Sequence, residues 1–466
     1  MARNHDKALE SPSYRGRHSN SRIIEQCNIQ IMKQSNRRVL GTDNQTIKRS
    51  GYWTNVRKQY AKNKRALFAA YVVLFLSFIA VFADFLANDK PILMKYQDHW
   101  YTPVLKEYAV DLGVGKWSPE LVRADWKTLE TDFVIWSLIR YAPTNQDYSA
   151  IYDKPFSNKK SDKGTHWLGT DKLGRDVAAG MIHGTRIAFS VGIVSMTISF
   201  FIGIFLGTIA GYFGDDRFKI SRIRLILNLL FLPFAFFYAF MVRSYLLGDA
   251  FSVSIFLFVL QFLLSLLIFA AILLIPNLLT IPLKRFKSLG KKISLPLDIL
   301  LTRFIEIVVS VPVLVLILVI IAVAKPSIYN VMIIIGFVSW TGIARFIRAE
   351  LLKIRRLEYI EAADALGFSH LRTMFKHAVP NALSPVFISV AFGIAAAILI
   401  EAFLSFLGIG VPADTITWGK LLNLSRSNSS AWWLAVFPGF AIFITVTVFN
   451  LIGEGLTDAL DPKLRK

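Results

Sequence analysis

Few residues of this 466-residue chain have the types and spacing that catalysis requires. His166, His183, His370 and His377 are too scattered in sequence to form a metal cluster. The single cysteine, Cys27, excludes an intramolecular disulfide framework and any Cys-based zinc site. No nucleophile–base pair stands out. No G-x-x-x-x-G-K-[ST] run occurs: Gly115-Lys116, Gly290-Lys291 and Gly419-Lys420 all lack the upstream glycine, so nothing here cradles a triphosphate in that way. The remaining candidates are polar or small residues inside apolar runs. Glu401 follows an uncharged run, Ala378–Ile400, and a carboxylate there is costly unless paired, protonated or facing water. It reads either as a path or gate residue or as an interfacial carboxylate hydrogen-bonded to nearby backbone. Ser310 and Pro312 are placed to kink a span where it borders a path. Gly192, Ser195, Ser199, Gly203, Gly207 and Gly211 recur at spacings of three and four, a stripe that lets helices approach closely in lipid.

The elements that carry these residues are membrane spans. Hydrophobic residues make up 54% of the chain and charged residues 18%, below the roughly 25% charge of a soluble domain. Mean hydropathy is +0.47. Eight uncharged runs are long enough to cross a bilayer: Ala66–Ala83, Ile187–Gly214, Leu225–Val242, Ala250–Leu283, Ile307–Ala324, Pro326–Ala344, Ala378–Ile400 and Ser427–Gly453. The net charge of +21 is not that of a nucleic-acid binder, because it collects before Ala66 (15 Lys/Arg against four Asp/Glu) and in alternate short linkers. Arg217–Arg224, Lys284–Lys292 and Arg345–Lys376 all fall on the side of the basic arm, which by the positive-inside rule is the cytoplasm. Both termini are then cytoplasmic. Residues 1–65 read as a basic cytoplasmic arm, mobile over 1–60, with Arg49–Arg65 either solvated or lying on the anionic inner leaflet. Residues 89–183, with 13 charges of each sign and many aromatics, read as a compact external loop domain after the first span, 66–86.

Glu358–Asn381 is the most informative segment. Tyr359–Leu366 is a short run of good helix formers, Gly367 sits where a left-handed cap would end it, and a second helical stretch leads to Pro380. Ala362 and Ala363 would let another protein approach closely, and Glu361 and Asp364 would offer it charge. Read alone, the stretch is also an ordinary linker helix. With Glu361-Ala-Ala, Gly367, His377, Pro380 and Asn381 together, it resembles the EAA-type loop of permease subunits in binding-protein-dependent ABC importers. His166–Asp176 (HWLGTDKLGRD), Leu404–Gly410, Trp418-Gly419 and Phe449–Pro462 resemble further blocks of the oligopeptide/dipeptide/nickel permease family. Residues 87–106 resemble the external loop of its microcin C/oligopeptide subgroup.

The resemblance implies an all-α polytopic membrane protein, with the transmembrane domain of a type I ABC importer over residues 186–456 and a cytoplasmic tail, 457–466. About eight spans are two more than this type of subunit usually has. The extra pair is an inserted hairpin, 225–283, which preserves the side of everything downstream. The implied function is a permease subunit of the bacterial inner membrane that forms half of the path for oligopeptides or peptide-like compounds. It would pair with a homologous permease, receive cargo from an external substrate-binding protein, and couple to cytoplasmic ATPase subunits through 345–378, with Tyr359, Glu361, Ala362, Ala363, Asp364, Gly367, His377, Pro380 and Asn381 as the coupling residues. No cofactor is expected on this chain, ATP being bound by partners. The alternative from another class is a self-sufficient channel or secondary transporter.

Overall fold

The computed structural model describes residues 52–111, 113–118, 121–122, 125–129, 131–157, 165–253, 255–283, 291–323 and 325–460. Residues 1–51 of the basic arm, including Cys27, as well as Lys284, Arg285 and Lys287 of one basic linker and the end of the tail, lie outside the described residues. The chain divides into units Met1–Asn55 and Val56–Lys466. Apart from the first turn of the first helix, every described element lies in the second unit.

The residues just before the first span are helical. Helix α1 (Tyr52–Lys62) places Val56 and Tyr60 one turn apart, and both pack with Leu456, Ala459 and Leu460 near the C-terminus. The arm expected to run mobile to residue 60 therefore ends earlier, because two apolar residues at i, i+4 have a surface to bury. Asn63 caps the next helix by accepting from Ala66 N, which starts α2 (Lys64–Val81). A short α3 (Ala83–Leu86) follows.

The segment expected to be external holds a three-stranded antiparallel sheet in the order β2-β1-β3, made of β1 (Leu93–Tyr96), β2 (His99–Tyr101) and β3 (Phe133–Ile135), with α4 (Pro103–Asp111) between β2 and β3. Gln97 and Asp98, both at positive φ, turn β1 into β2 in the register Tyr96↔His99, Lys95↔Trp100 and Met94↔Tyr101. The HWLGTDKLGRD stretch fastens this segment to the bundle. Asp171 accepts from Leu173 N at 2.8 Å and Arg175 N at 2.9 Å, and its other oxygen pairs with Arg175 Nε at 2.7 Å. Gly169 turns at φ +81, where an added Cβ would lie 2.6 Å from Asp153 O. Asp176 accepts from Ala179 N at 2.8 Å and so caps the next helix, while its other oxygen lies 2.8 Å from Nδ1 of buried His166.

Helix α5 (Val177–Phe213) has 37 residues, roughly 55 Å at 1.5 Å per residue, so it crosses a bilayer and projects beyond it. A two-stranded ribbon of β4 (Lys219–Ser221) and β5 (Lys292–Ser294) then brackets the inserted hairpin. The hairpin consists of α6 (Arg222–Phe236) with a π-helical extension, Phe237–Met241, then α7 (Ser244–Val253) and α8 (Ile255–Leu283). The short linker between the uncharged runs Leu225–Val242 and Ala250–Leu283 is largely helical, since α7 runs through Gly248 and Asp249. α9 (Leu297–Ser310) and α10 (Val313–Val323) meet at 77° rather than forming one straight fifth span. Val311, before Pro312, is extended at φ −92, ψ 129, the conformation that a following proline favours. Then come α11 (Ile328–Ile354), α12 (Glu358–Ala365), α13 (His370–Thr373) with a π-helical turn, Met374–Ala378, α14 (Val379–Ala382), α15 (Ser384–Phe406), α16 (Trp418–Ser425) and α17 (Trp433–Leu460). Among the described residues seven helices are long and apolar enough to span, or eight if the bent pair counts as one span.

The small-residue stripe of α5 packs mainly against α11. Ser195 Oγ donates to Met332 O at 2.9 Å, and Ser199 Oγ donates to Gly336 O at 2.7 Å. A Cβ on Gly203 would lie 2.8 Å from Ile343, and one on Gly211 2.7 Å from Arg348 O. Gly207 faces Ala344 and Ile347 equally tightly, and Gly192 faces Ile394 and Ile398 of α15. Substituting Gly207→Leu is expected to lower stability by about 1–3 kcal/mol or prevent folding, as overpacking does. Gly248→Leu, with open space around it, should leave stability unchanged. Thermal unfolding in detergent checks both.

A second joint links the first span to α5. Arg186 donates through Nε to Ala80 O at 2.8 Å, and its NH1 lies 2.7 Å from Asp84 Oδ2, which also accepts from Tyr108 OH. Burial pushes the Asp84 carboxyl up, but the Tyr108 and Arg186 hydrogen bonds and the Arg186 charge outweigh it and hold it below its ordinary value. A lowered carboxylate stabilises the fold above the unfolded-state pKa, and that contribution is lost as pH falls through the folded value. Wild-type stability is therefore expected to decline below about pH 4. Asp84→Asn should be less stable at pH 7 and show a shallower decline, as read by thermal unfolding across pH 3–7.

Candidate coupling helix and membrane crevice

Helix α12 is one short helix with two unlike faces. Ile360 is fully buried and Ala363 is 8% exposed, and Ile360 joins a core with Tyr212, Ile347, Leu351, Ile354 and Met374. The i, i+3 spacing puts both on the inward face. Ala363, expected to face a partner with Ala362, therefore packs within its own chain, while Ala362 and Glu361 are exposed. Asp364, expected to offer charge outward, is held internally: Arg217 NH2 lies 3.2 Å from its Oδ2, and His370 Nδ1 lies 3.7 Å from its Oδ1. Asn381 Nδ2 donates to Tyr359 OH at 3.3 Å and to His377 O at 2.7 Å, which ties α12 to the foot of α15. Pro380 lies exposed beside that link.

Gly367 ends α12 at φ +76. Phe368 N then donates to Ala363 O at 3.1 Å and Gly367 N to Asp364 O at 3.0 Å, a left-handed cap that satisfies the last carbonyls. Around this cap the chain exposes Leu366 (74%), Leu371 (60%) and Phe375 (62%), with Tyr359 and Phe368 partly exposed beside them. Sequence reasoning missed this apolar rim. Its signal was large apolar residues in a loop otherwise rich in charge.

A crevice of about 560 Å³ opens in the bundle near this end. Met196, Ser339, Gly342, Phe346, Ser389, Gly393 and Thr457 are among its lining residues, none of which is charged. It draws on α5, α11, α15 and α17. The expected path residues lie elsewhere. Ser310 and Pro312 are exposed at the α9–α10 bend, where Ser310 Oγ donates to Ile307 O at 2.7 Å. Glu401 is 1% exposed and accepts from Ser405 Oγ at 2.6 Å, and the adjoining Ala402 and Ser405 lie under Gly419 of α16. The carboxylate thus turns inward, away from the crevice.

Similarity to characterised proteins agrees with this arrangement. The family model described as "Binding-protein-dependent transport system inner membrane component" matches residues 288–466, and that described as "N-terminal TM domain of oligopeptide transport permease C" matches residues 51–103. The peptidoglycan transport system permease protein YejE of Agrobacterium fabrum is 26% identical over 88% of this chain and 92% of its own length. The inner membrane ABC transporter permease protein YejE of Escherichia coli is 26% identical over 87% and 95%. The dipeptide transport system permease protein DppC of Alkalihalophilus pseudofirmus is 29% identical over 72% and 84%. Two matched blocks and relatives aligned along most of their length leave one assignment: this chain belongs to the inner-membrane permease components of binding-protein-dependent ABC transport systems.

Proposed function

We propose that this subunit pairs with a homologous permease to enclose a path for oligopeptides or peptide-like compounds, with α12 as the point where a cytoplasmic ATPase pushes. An external binding protein delivers cargo on the side of the sheet-containing segment, and both termini lie in the cytoplasm. The peptide cargo is suggested by the relatives, which are named for dipeptide and peptidoglycan transport.

The observation that carries the reading is the asymmetry of α12. Its outer side presents Glu361, Ala362 and the apolar rim at Leu366, Leu371 and Phe375. Its inner side is locked at three places. Ile360 is buried against the end of α11, Asp364 is paired with Arg217 just past α5, and Tyr359 is linked to Asn381 at the start of α15. A push on the outer side therefore reaches three helix ends together. All three helices, α5, α11 and α15, line the crevice, so a small displacement biases its access between two sides of the membrane.

Ala362→Arg and Leu366→Asp alter only outward positions. Each is expected to reduce ATP-dependent uptake about tenfold or more, as loss of a docking hot spot does, while the protein still reaches the membrane and unfolds at its usual temperature. Ala363→Arg, by contrast, should lower folded yield. Unchanged uptake in both outward variants would remove the coupling role from α12.

A further inference from the structure

We propose that the foot of the inserted hairpin is a binding site for anionic phospholipid. The hairpin leaves the bundle through the β4–β5 ribbon, whose register pairs Lys219↔Ser294, Ile220↔Ile293 and Ser221↔Lys292. Directly opposed residues share a face of a ribbon, so Lys219 and Lys292 stand on one face and the two isoleucines on the other. Arg222 N donates to Lys291 O at 3.1 Å, which holds two more basic residues beside the ribbon. The side chains of Lys219, Arg222, Lys291 and Lys292 are all exposed.

These cations are not balanced by the carboxylates around them. Asp364 is held by Arg217, Asp298 by Arg348, and Asp215 accepts from Ile299 N at 3.2 Å. Asp215, whose charge a neutral amide does not cancel, and Asp216 are the remaining described carboxylates in the adjoining turn, two against the four cations. Arg224 is engaged with Asn277 within the hairpin and does not belong to the patch.

The patch sits at the end of the bundle that carries α12, because Arg217, two residues before β4, reaches Asp364. Immediately beyond it the hairpin wall is bare hydrocarbon: Ile226, Leu229, Leu230, Leu274, Leu278 and Ile281 are all exposed. Only 11% and 6% of the apolar windows of the two hairpin spans are buried, against 56% for α11. Cationic side chains at the level of the headgroups, under an uncovered apolar wall, fit a ligand with a phosphate at one end and acyl chains at the other. Free phosphate would use the cations and leave the wall unexplained. A zwitterionic lipid would cover the wall and leave the charge uncompensated.

The test uses the full chain in neutral detergent, offered phosphatidylglycerol and phosphatidylcholine of matched acyl chains in equal amounts, with bound lipid counted by native mass spectrometry. Wild type is expected to retain phosphatidylglycerol about tenfold over phosphatidylcholine, since each basic side chain at an anionic surface adds to the attraction. Lys219→Gln, Arg222→Gln, Lys291→Gln and Lys292→Gln together should erase that preference. The equally discharged control Arg303→Gln, Lys353→Gln, Arg356→Gln and Lys376→Gln should retain it. If the quadruple foot variant fails to fold, Lys219→Gln with Lys292→Gln should show an intermediate loss. Equal retention of the two lipids by wild type, an equal loss in the control, an unchanged double variant, or displacement of the lipid by excess inorganic phosphate would each overturn the assignment.

Discussion

Close approach of α5 and α11 is the constraint on which the other arrangements depend. Lipid gives two apolar helices no hydrophobic reason to associate, so they must gain dispersion contacts and hydrogen bonds by bringing their backbones together. The stripe provides both. Gly203, Gly207 and Gly211 let the α11 backbone come near, and the Ser195 and Ser199 hydroxyls donate to α11 carbonyls. These two helices also carry the ends that matter. α5 begins at the Asp176–His166 cap, beside the sheet-containing segment, and ends close to Arg217, and α11 leads directly into α12. A rigid pair of this length holds the two sides of the membrane in a defined relation.

The proposed role of α12 depends on that frame. A helix of eight residues has little stability of its own. It is held by Ile360 in the core at the end of α11, by the Asp364–Arg217 pair and by the Tyr359–Asn381 link. The Gly367 cap stops it abruptly and turns the following apolar residues outward. Rigidity toward the bundle combined with an exposed apolar outer edge is what a force-receiving element needs. A helix buried on both faces could not be reached, and one free on both faces could not transmit.

The inserted hairpin obeys different rules. It has no small-residue stripe, and its helices contact each other far more than the bundle. Its internal polar contacts, Arg224 with Asn277 and Arg243 with Ser265 and Gln261, give guanidinium N–H groups acceptors within the hairpin itself. Joined to the bundle through a short ribbon, it occupies lipid beside the transport machinery without entering the crevice. Two added spans leave the side of every later element unchanged, which is why the insertion is compatible with the rest.

Membrane character, the spans and their packing stripe were all legible in the residues alone, because each depends on the local period and composition of one segment. Uncharged runs of sufficient length must form helices in lipid, and small residues at i, i+3, i+4 must share a face whatever lies opposite. The break at Pro312 was equally local. What only the tertiary structure decided concerns direction and partners. Ala362 and Ala363 are chemically alike and adjacent, yet one faces outward and the other packs inward, because α12 is rotated by where Ile360 finds a cavity. Asp364 is taken by Arg217, almost 150 residues earlier in the chain, and Glu401 by Ser405, which lies under α16. The crevice likewise exists only between four helices, so no single segment could announce it. Spacing determines which side chains share a face, and packing against distant residues determines what that face meets.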